Sequence, residues 1–146
     1  MAGLGLAGLR VGIDIAQISQ MQSSLDSFGE RFVQRLFRPD EAVYALQAPA
    51  LAAQRLAARF AAKEAAIKAF DWSECGVDWR CIEVRRHRDG ACTLVLHDRC
   101  AELARHSGCT SWALSLSHDG DYAAAVVAAA MPPDDHGARP SSGWPH

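Results

Sequence analysis

The chain has 146 residues, 49% of them hydrophobic and 22% charged, with a formal net charge of −2. That is enough apolar material for one domain with a core, and it carries no basic excess of the kind that draws a protein to nucleic acid or a membrane surface. No apolar run approaches the ~20 residues of a membrane helix, and "MAGLGLAGLRVGIDIA" has no charged leader before its apolar part, so it does not read as a signal peptide.

In chain order, "LRVGIDIAQI" alternates as a strand with one buried face. Val11, Ile13 and Ile15 are expected on that face, and Gly12, Asp14 and Ala16 on the other. "SQMQSSLDSFGERFVQRLF" predicts one or two short helices interrupted near Gly29. "RPDEAVYALQ" opens with Pro39 and two acids, a helix start. "ALAAQRLAARFAAKEAAIKAF" is the long helix, rich in the strongest helix former. "WRCIEVRRHRDGACTLVLHD" predicts two strands around a turn at Asp89-Gly90. "DRCAELARHSG" is a short helix capped by Gly108, and "SWALSLSHDGDYAAAVVAAA" gives two strands around Asp119-Gly120-Asp121. The sum is an α+β fold, a single small domain of antiparallel strands packed with one long and several short helices, over residues 1–131. Residues 132–146, rich in Pro, Gly and polar side chains, are expected to form a disordered tail. Cys75, Cys81, Cys92, Cys100 and Cys109 contain no CxxC pair, which favours reduced thiols in a cytoplasmic protein.

The long helix poses a question. Wound at ~100° per residue, Leu56, Phe60 and Ile67 form a narrow apolar stripe, and Lys63 falls inside it. Burying an ammonium is costly unless an anion meets it, or unless the chain snorkels to water. Glu64 and Lys68 stand at i, i+4 and read most simply as a surface pair. Asp14, near a strand end, reads either as a cap for the next helix or as a hard oxygen ligand. Together with Glu64 it would supply two carboxylates for Mg2+, an ion that completes its shell with water and phosphate oxygens. Two acids with nearby lysines is a composition suited to a pyrophosphate. "SLSHDGDY" adds Ser117 and His118 at a strand end, without the GxSxG elbow of a hydrolase.

The order "VGIDIAQI", "RFAAKEAAIKAF", "SLSHDGDYAAAVV", at intervals of about fifty residues, resembles the 4′-phosphopantetheinyl transferases, and more narrowly the small holo-acyl-carrier-protein synthase type, over residues 9 to 129. That resemblance implies transfer of the phosphopantetheine arm of coenzyme A to a serine of an apo acyl carrier protein, releasing adenosine 3′,5′-bisphosphate. Asp14 and Glu64 would hold Mg2+, or Mn2+ in its place, and Lys68 would stabilise or protonate the leaving phosphate. Lys63 would direct its charge at the same anion, Ser117 and His118 would lie near the coenzyme A phosphates, and Arg59 would meet the nucleotide's 3′-phosphate. The serine proton would pass to a metal-bound water or to a carboxylate acting through one. Carriers in this family are acidic, so Arg31, Arg35 and Arg38 would form the docking surface. The resemblance further implies a homotrimer with active sites between subunits.

Two positions depart from the family pattern. Gln20 stands where many relatives carry a basic residue that helps dock the carrier, and the hairpin turn reads Gly90-Ala91-Cys92 where relatives commonly have a basic residue and Pro after the Gly. Neither touches the metal pair, and neither names the carrier as fatty-acid or polyketide. The competing readings are a catalytically silent coenzyme A- or carrier-binding homologue and another Mg2+-dependent enzyme of nucleotide pyrophosphates.

Overall fold

The computed structural model describes residues 8–132, and the expected tail falls almost wholly outside that range. Strand β1 (Gly8–Gln17) leads into α1 (Ile18–Leu36), α2 (Pro39–Leu46) and the long α3 (Ala52–Phe70). A hairpin of β2 (Ile82–Arg86) and β3 (Cys92–Leu96), helix α4 (Asp98–His106) and strands β4 (Ser111–Asp119) and β5 (Tyr122–Met131) complete the order. The break foreseen in α1 is real: Gly29 has φ 59° and ψ −138°, between two helical segments. Both expected turn glycines are left-handed, Gly90 at φ 90° and Gly120 at φ 56°, where a residue without Cβ is unstrained.

One antiparallel sheet runs β1-β5-β4 and a second, two-stranded sheet pairs β2 with β3. Helix α3 lies across the larger sheet. Its alanines Ala61, Ala62, Ala65, Ala66 and Ala69 have no exposed surface, and they pack with Ala125, Val127 and Ala129 of β5. Leu56 and Ala57, earlier on the same helix, pack instead with Val33, Leu36 and Phe37 beside α1 and with Ala45 of α2. The helix is therefore buried around most of its circumference, and the expected single stripe understates it. Phe60 and Ile67 are only partly buried, whereas the small residues lie deepest. Alanine suits this place because a helix of small side chains can approach a sheet closely.

The closest approach is at Gly12. A Cβ there would overlap the Ala65 carbonyl and come within 2.7 Å of the Ala69 nitrogen. The alternation read in β1 is correct, but its faces are exchanged. Gly12, Asp14 and Ala16 turn toward α3, while Val11, Ile13 and Ile15 lie on the outer face, 42%, 57% and 62% exposed. Alternation separates two faces without saying which one the chain itself covers. Gly12→Ala is expected to cost about 3 kcal/mol, the upper end for overpacking, since the obstacle is backbone. Chemical denaturation reads it, and a loss under ~0.5 kcal/mol would show that β1 and α3 are not in backbone contact.

Candidate active site

The Gly12 contact brings the end of β1 onto the exposed flank of α3. Asp14, two residues on and on the same face, meets Lys68: Nζ donates to Asp14 Oδ1 at 3.1 Å and to the Ile13 carbonyl at 3.0 Å. Glu64 precedes Lys68 by one turn. Its carboxyl titrates above the usual range because burial disfavours the charged form and the Asp14 charge adds to this, with Lys68 only partly opposing them. Asp14, Glu64 and Lys68 thus gather in one place. Asp14 is also free of the capping role the sequence offered it. The N-terminus of α1 is held instead by Asp121, from the β4–β5 turn, whose carboxylate accepts from Ser19 N at 2.9 Å and whose carbonyl accepts from Ile18 N at 2.7 Å.

The donor set suits a hard divalent cation. Burial and the nearby Asp14 charge both disfavour ionised Glu64, a cost that a divalent cation held by the two carboxylates would relieve. Among the described residues no group of three or more His, Cys, Asp and Glu forms a protein cage. Asp14 and Glu64 would supply two protein oxygens to such an ion and leave its other positions to water and phosphate.

Lys63 is a correction. It does not face the site; its side chain is fully buried and its ammonium donates to Glu41 Oε1 at 2.8 Å, to the Trp79 carbonyl at 3.1 Å and to the Ile82 carbonyl. Burial lowers its pKa, with Glu41 opposing the shift. Glu41 is itself satisfied on every side, taking Arg38 N at 2.9 Å and Val84 N at 3.0 Å. The anion that answers Lys63 is a residue of the fold, and the pair ties α2, α3 and the start of β2 together. The helix pattern could not reveal this, because Glu41 lies 22 positions away on another helix.

The remaining expected residues spread over three other places. Arg59 is buried, its guanidinium carbon 4.6 Å from the Tyr44 ring centroid and its Nε without a partner. Arg55 and Arg86 approach the same ring at 4.1 Å and 5.3 Å, a cluster the sequence reading missed. Ser117 and His118 border a shallow cleft of about 410 Å3 with Ile15, Asp119, Tyr122 and Ala124 at the end of the larger sheet. Arg31 and Arg35 line a groove beside the turn at residues 78–80. Arg38 turns to its own chain, donating to the Arg80 carbonyl at 2.9 Å and lying 3.8 Å from Glu83.

An α+β domain that presents two carboxylates and a lysine on the flank of its central helix defines a class: small domains with an acid–lysine site whose composition suits a phosphate group. The comparisons narrow it. Residues 10–127 match the model of the 4′-phosphopantetheinyl transferase superfamily. A holo-[acyl-carrier-protein] synthase of Koribacter versatilis is 42% identical over 120 residues, covering 82% of this chain and 95% of that protein. One from Moorella thermoacetica is 42% identical over 119 residues, covering 82% and 91%. Among solved structures, the Chronobacterium ammoniagenes ACPS-CoA complex superposes with a TM-score of 0.73 at 34% identity, covering 85% of this chain and 98% of that one. The chain belongs to the 4′-phosphopantetheinyl transferase superfamily, in its holo-acyl-carrier-protein synthase branch.

Lys63→Met leaves Glu41 buried without its counter-charge and is expected to cost about 3–5 kcal/mol of unfolding free energy. Adding Glu41→Gln should recover a large part of it, as measured by denaturant unfolding. A Lys63→Met protein as stable as the wild type would mean that the pair is not formed.

Proposed function

We propose that this chain transfers the 4′-phosphopantetheine arm of coenzyme A to a serine hydroxyl of an apo acyl carrier protein, releasing adenosine 3′,5′-bisphosphate, with Mg2+ held by Asp14 and Glu64. The observation that carries this is the convergence of Asp14, Glu64 and Lys68 on one flank of α3. When bound, the cation neutralises and polarises the diphosphate of coenzyme A. Asp14 and Glu64 fix its place. Lys68, with its side chain 48% exposed, exchanges Asp14 for the phosphate oxygen on which charge develops, and donates a hydrogen bond or its proton there. The cluster of Arg55, Arg59 and Arg86 around Tyr44 receives the nucleotide's phosphate. Three guanidiniums and a buried Nε without a partner are a costly arrangement that an anion relieves.

The assembly is a homotrimer. Leu9, Val11, Ile13 and Ile15 of β1, with Tyr122 and Val126 of β5, leave an apolar sheet face open to solvent, a feature that marks interaction surfaces. A head-to-tail arrangement that closes as a ring would cover it. Ser117 borders a cleft on that same side, beside Ile15, so a second copy seated there would complete the site around Ser117 and His118. Five unpaired cysteines suit the reducing cytoplasm, and no helix among the described residues is long and apolar enough to cross a membrane.

Incubated with coenzyme A, Mg2+ and an apo carrier, the protein should add one phosphopantetheine to the carrier's mass. Glu64→Gln should slow this at least ~100-fold. The same variant should melt higher than the wild type at neutral pH without metal. The native Glu64 has a raised pKa, so its ionised form costs stability above that pKa, and the cost disappears as pH falls through it. Metal-induced stabilisation should vanish in the variant. Transfer that survives Glu64→Gln would overturn the site assignment. For the assembly, Ile13→Lys should lower the mass seen by light scattering about threefold. An unchanged mass would exclude this face as the interface.

A further inference from the structure

The groove of about 580 Å3 between α1 and the turn after α3 is lined by Arg31, Gln34, Arg35, Asp78, Trp79 and Arg80. Its floor is rigid. The Trp79 carbonyl accepts from the buried Lys63, the Arg80 carbonyl accepts from Arg38, and the Trp79 ring stacks on Phe60 at 5.3 Å with 22° between planes. On this fixed backbone one ion pair remains exposed. Arg80 reaches back to Asp78 with two side-chain hydrogen bonds, Nη2 to Oδ2 at 3.0 Å and Nε to Oδ1 at 3.3 Å, and the two side chains are 53% and 44% exposed. Asp78 is the one carboxylate among three guanidiniums facing the groove.

We infer that Asp78 is an internal competitor for the carrier: in the free protein it occupies the Arg80 guanidinium, and an acidic side chain of the docking carrier displaces it. Arg80 thereby becomes a third docking cation beside Arg31 and Arg35, and the Asp78–Arg80 pair sets how acidic a carrier must be to bind. An exposed pair of this kind is weak and easily exchanged. A carrier carboxylate in the groove gains from Arg31 and Arg35 what Asp78, on its own loop, does not. Toward a partner too weakly acidic to displace Asp78, Arg80 stays neutralised and offers no docking charge. This inference rests on the carrier-docking part of the proposed function.

The test is calorimetric titration of the full chain with an apo acyl carrier protein. Asp78→Asn removes the carboxylate and keeps the oxygen that accepts from Arg80 N, a bond of 2.9 Å that caps the turn. It should tighten the carrier Kd about threefold, and Asp78→Ser, which also caps, should act alike. Arg80→Ala should weaken the Kd about fivefold. In the Arg80→Ala background Asp78→Asn should have no further effect. An Asp78→Asn protein that binds no tighter overturns the inference, as does one that tightens binding equally with Arg80 absent, since Asp78 would then act only through its overall charge. Arg35→Glu separates the two levels. If it weakens binding while the Asp78 and Arg80 variants do nothing, only this inference fails. If it too leaves the carrier Kd unchanged, the carrier-docking reading fails.

Discussion

Backbone contact between strand β1 and helix α3 is the constraint on which the rest of the molecule depends. Only a glycine at position 12 lets the strand rest against the Ala65 carbonyl, and only alanines at 61, 62, 65, 66 and 69 let the helix lie so close to the sheet. With larger residues at either place the two elements would stand further apart, and Asp14 would lose its contact with Lys68. The alanine content of α3 is thus a packing requirement as well as a helix preference.

Helix α3 divides its charges by angle. Lys63 and Glu64 are neighbours, about 100° apart around the axis, so one enters the core and the other reaches the flank. Lys63 is spent on structure, held by Glu41 and two carbonyls. That buried network holds the Trp79–Cys81 turn and so one wall of the arginine-lined groove. Glu64 and Lys68, a turn apart, face Asp14. Two charges of the same helix therefore act on the site, and a third acts on the frame that supports it. The Asp121 cap on α1 contributes in the same way, because it leaves Asp14 without a structural duty at the strand end.

Much of this was legible beforehand. Periodicity and turn residues locate the α-helices and strands, including the break at Gly29, because those signals are local. They start the hairpin at Trp79, however, where Trp79–Cys81 is a short helical turn and β2 begins at Ile82. The Asp14, Glu64 and Lys68 grouping was legible through spacing and family resemblance. What failed was non-local. Lys63 sat in an apolar stripe, which showed that a partner must exist, but nothing in the helix pointed to Glu41 rather than to substrate. Alternation in β1 separates two faces without showing which one α3 covers, and the apolar face expected in the core is the exposed one. Arg55, Arg86 and Tyr44 come from three separate elements, so no spacing rule unites them. Arg38 shared a run with Arg31 and Arg35, yet its position at the start of α2 turns it toward Arg80 and Glu83.

The proposed transfer requires that Asp14 and Glu64 share one divalent cation. Diffraction from crystals grown with coenzyme A and Mn2+, with data collected at the manganese edge, addresses this directly. A single anomalous peak within ligand distance of both the Asp14 and Glu64 carboxylates and of the coenzyme A diphosphate is the expected result. A peak that touches neither carboxylate, or a bound diphosphate with those two side chains turned away from it, would contradict the account.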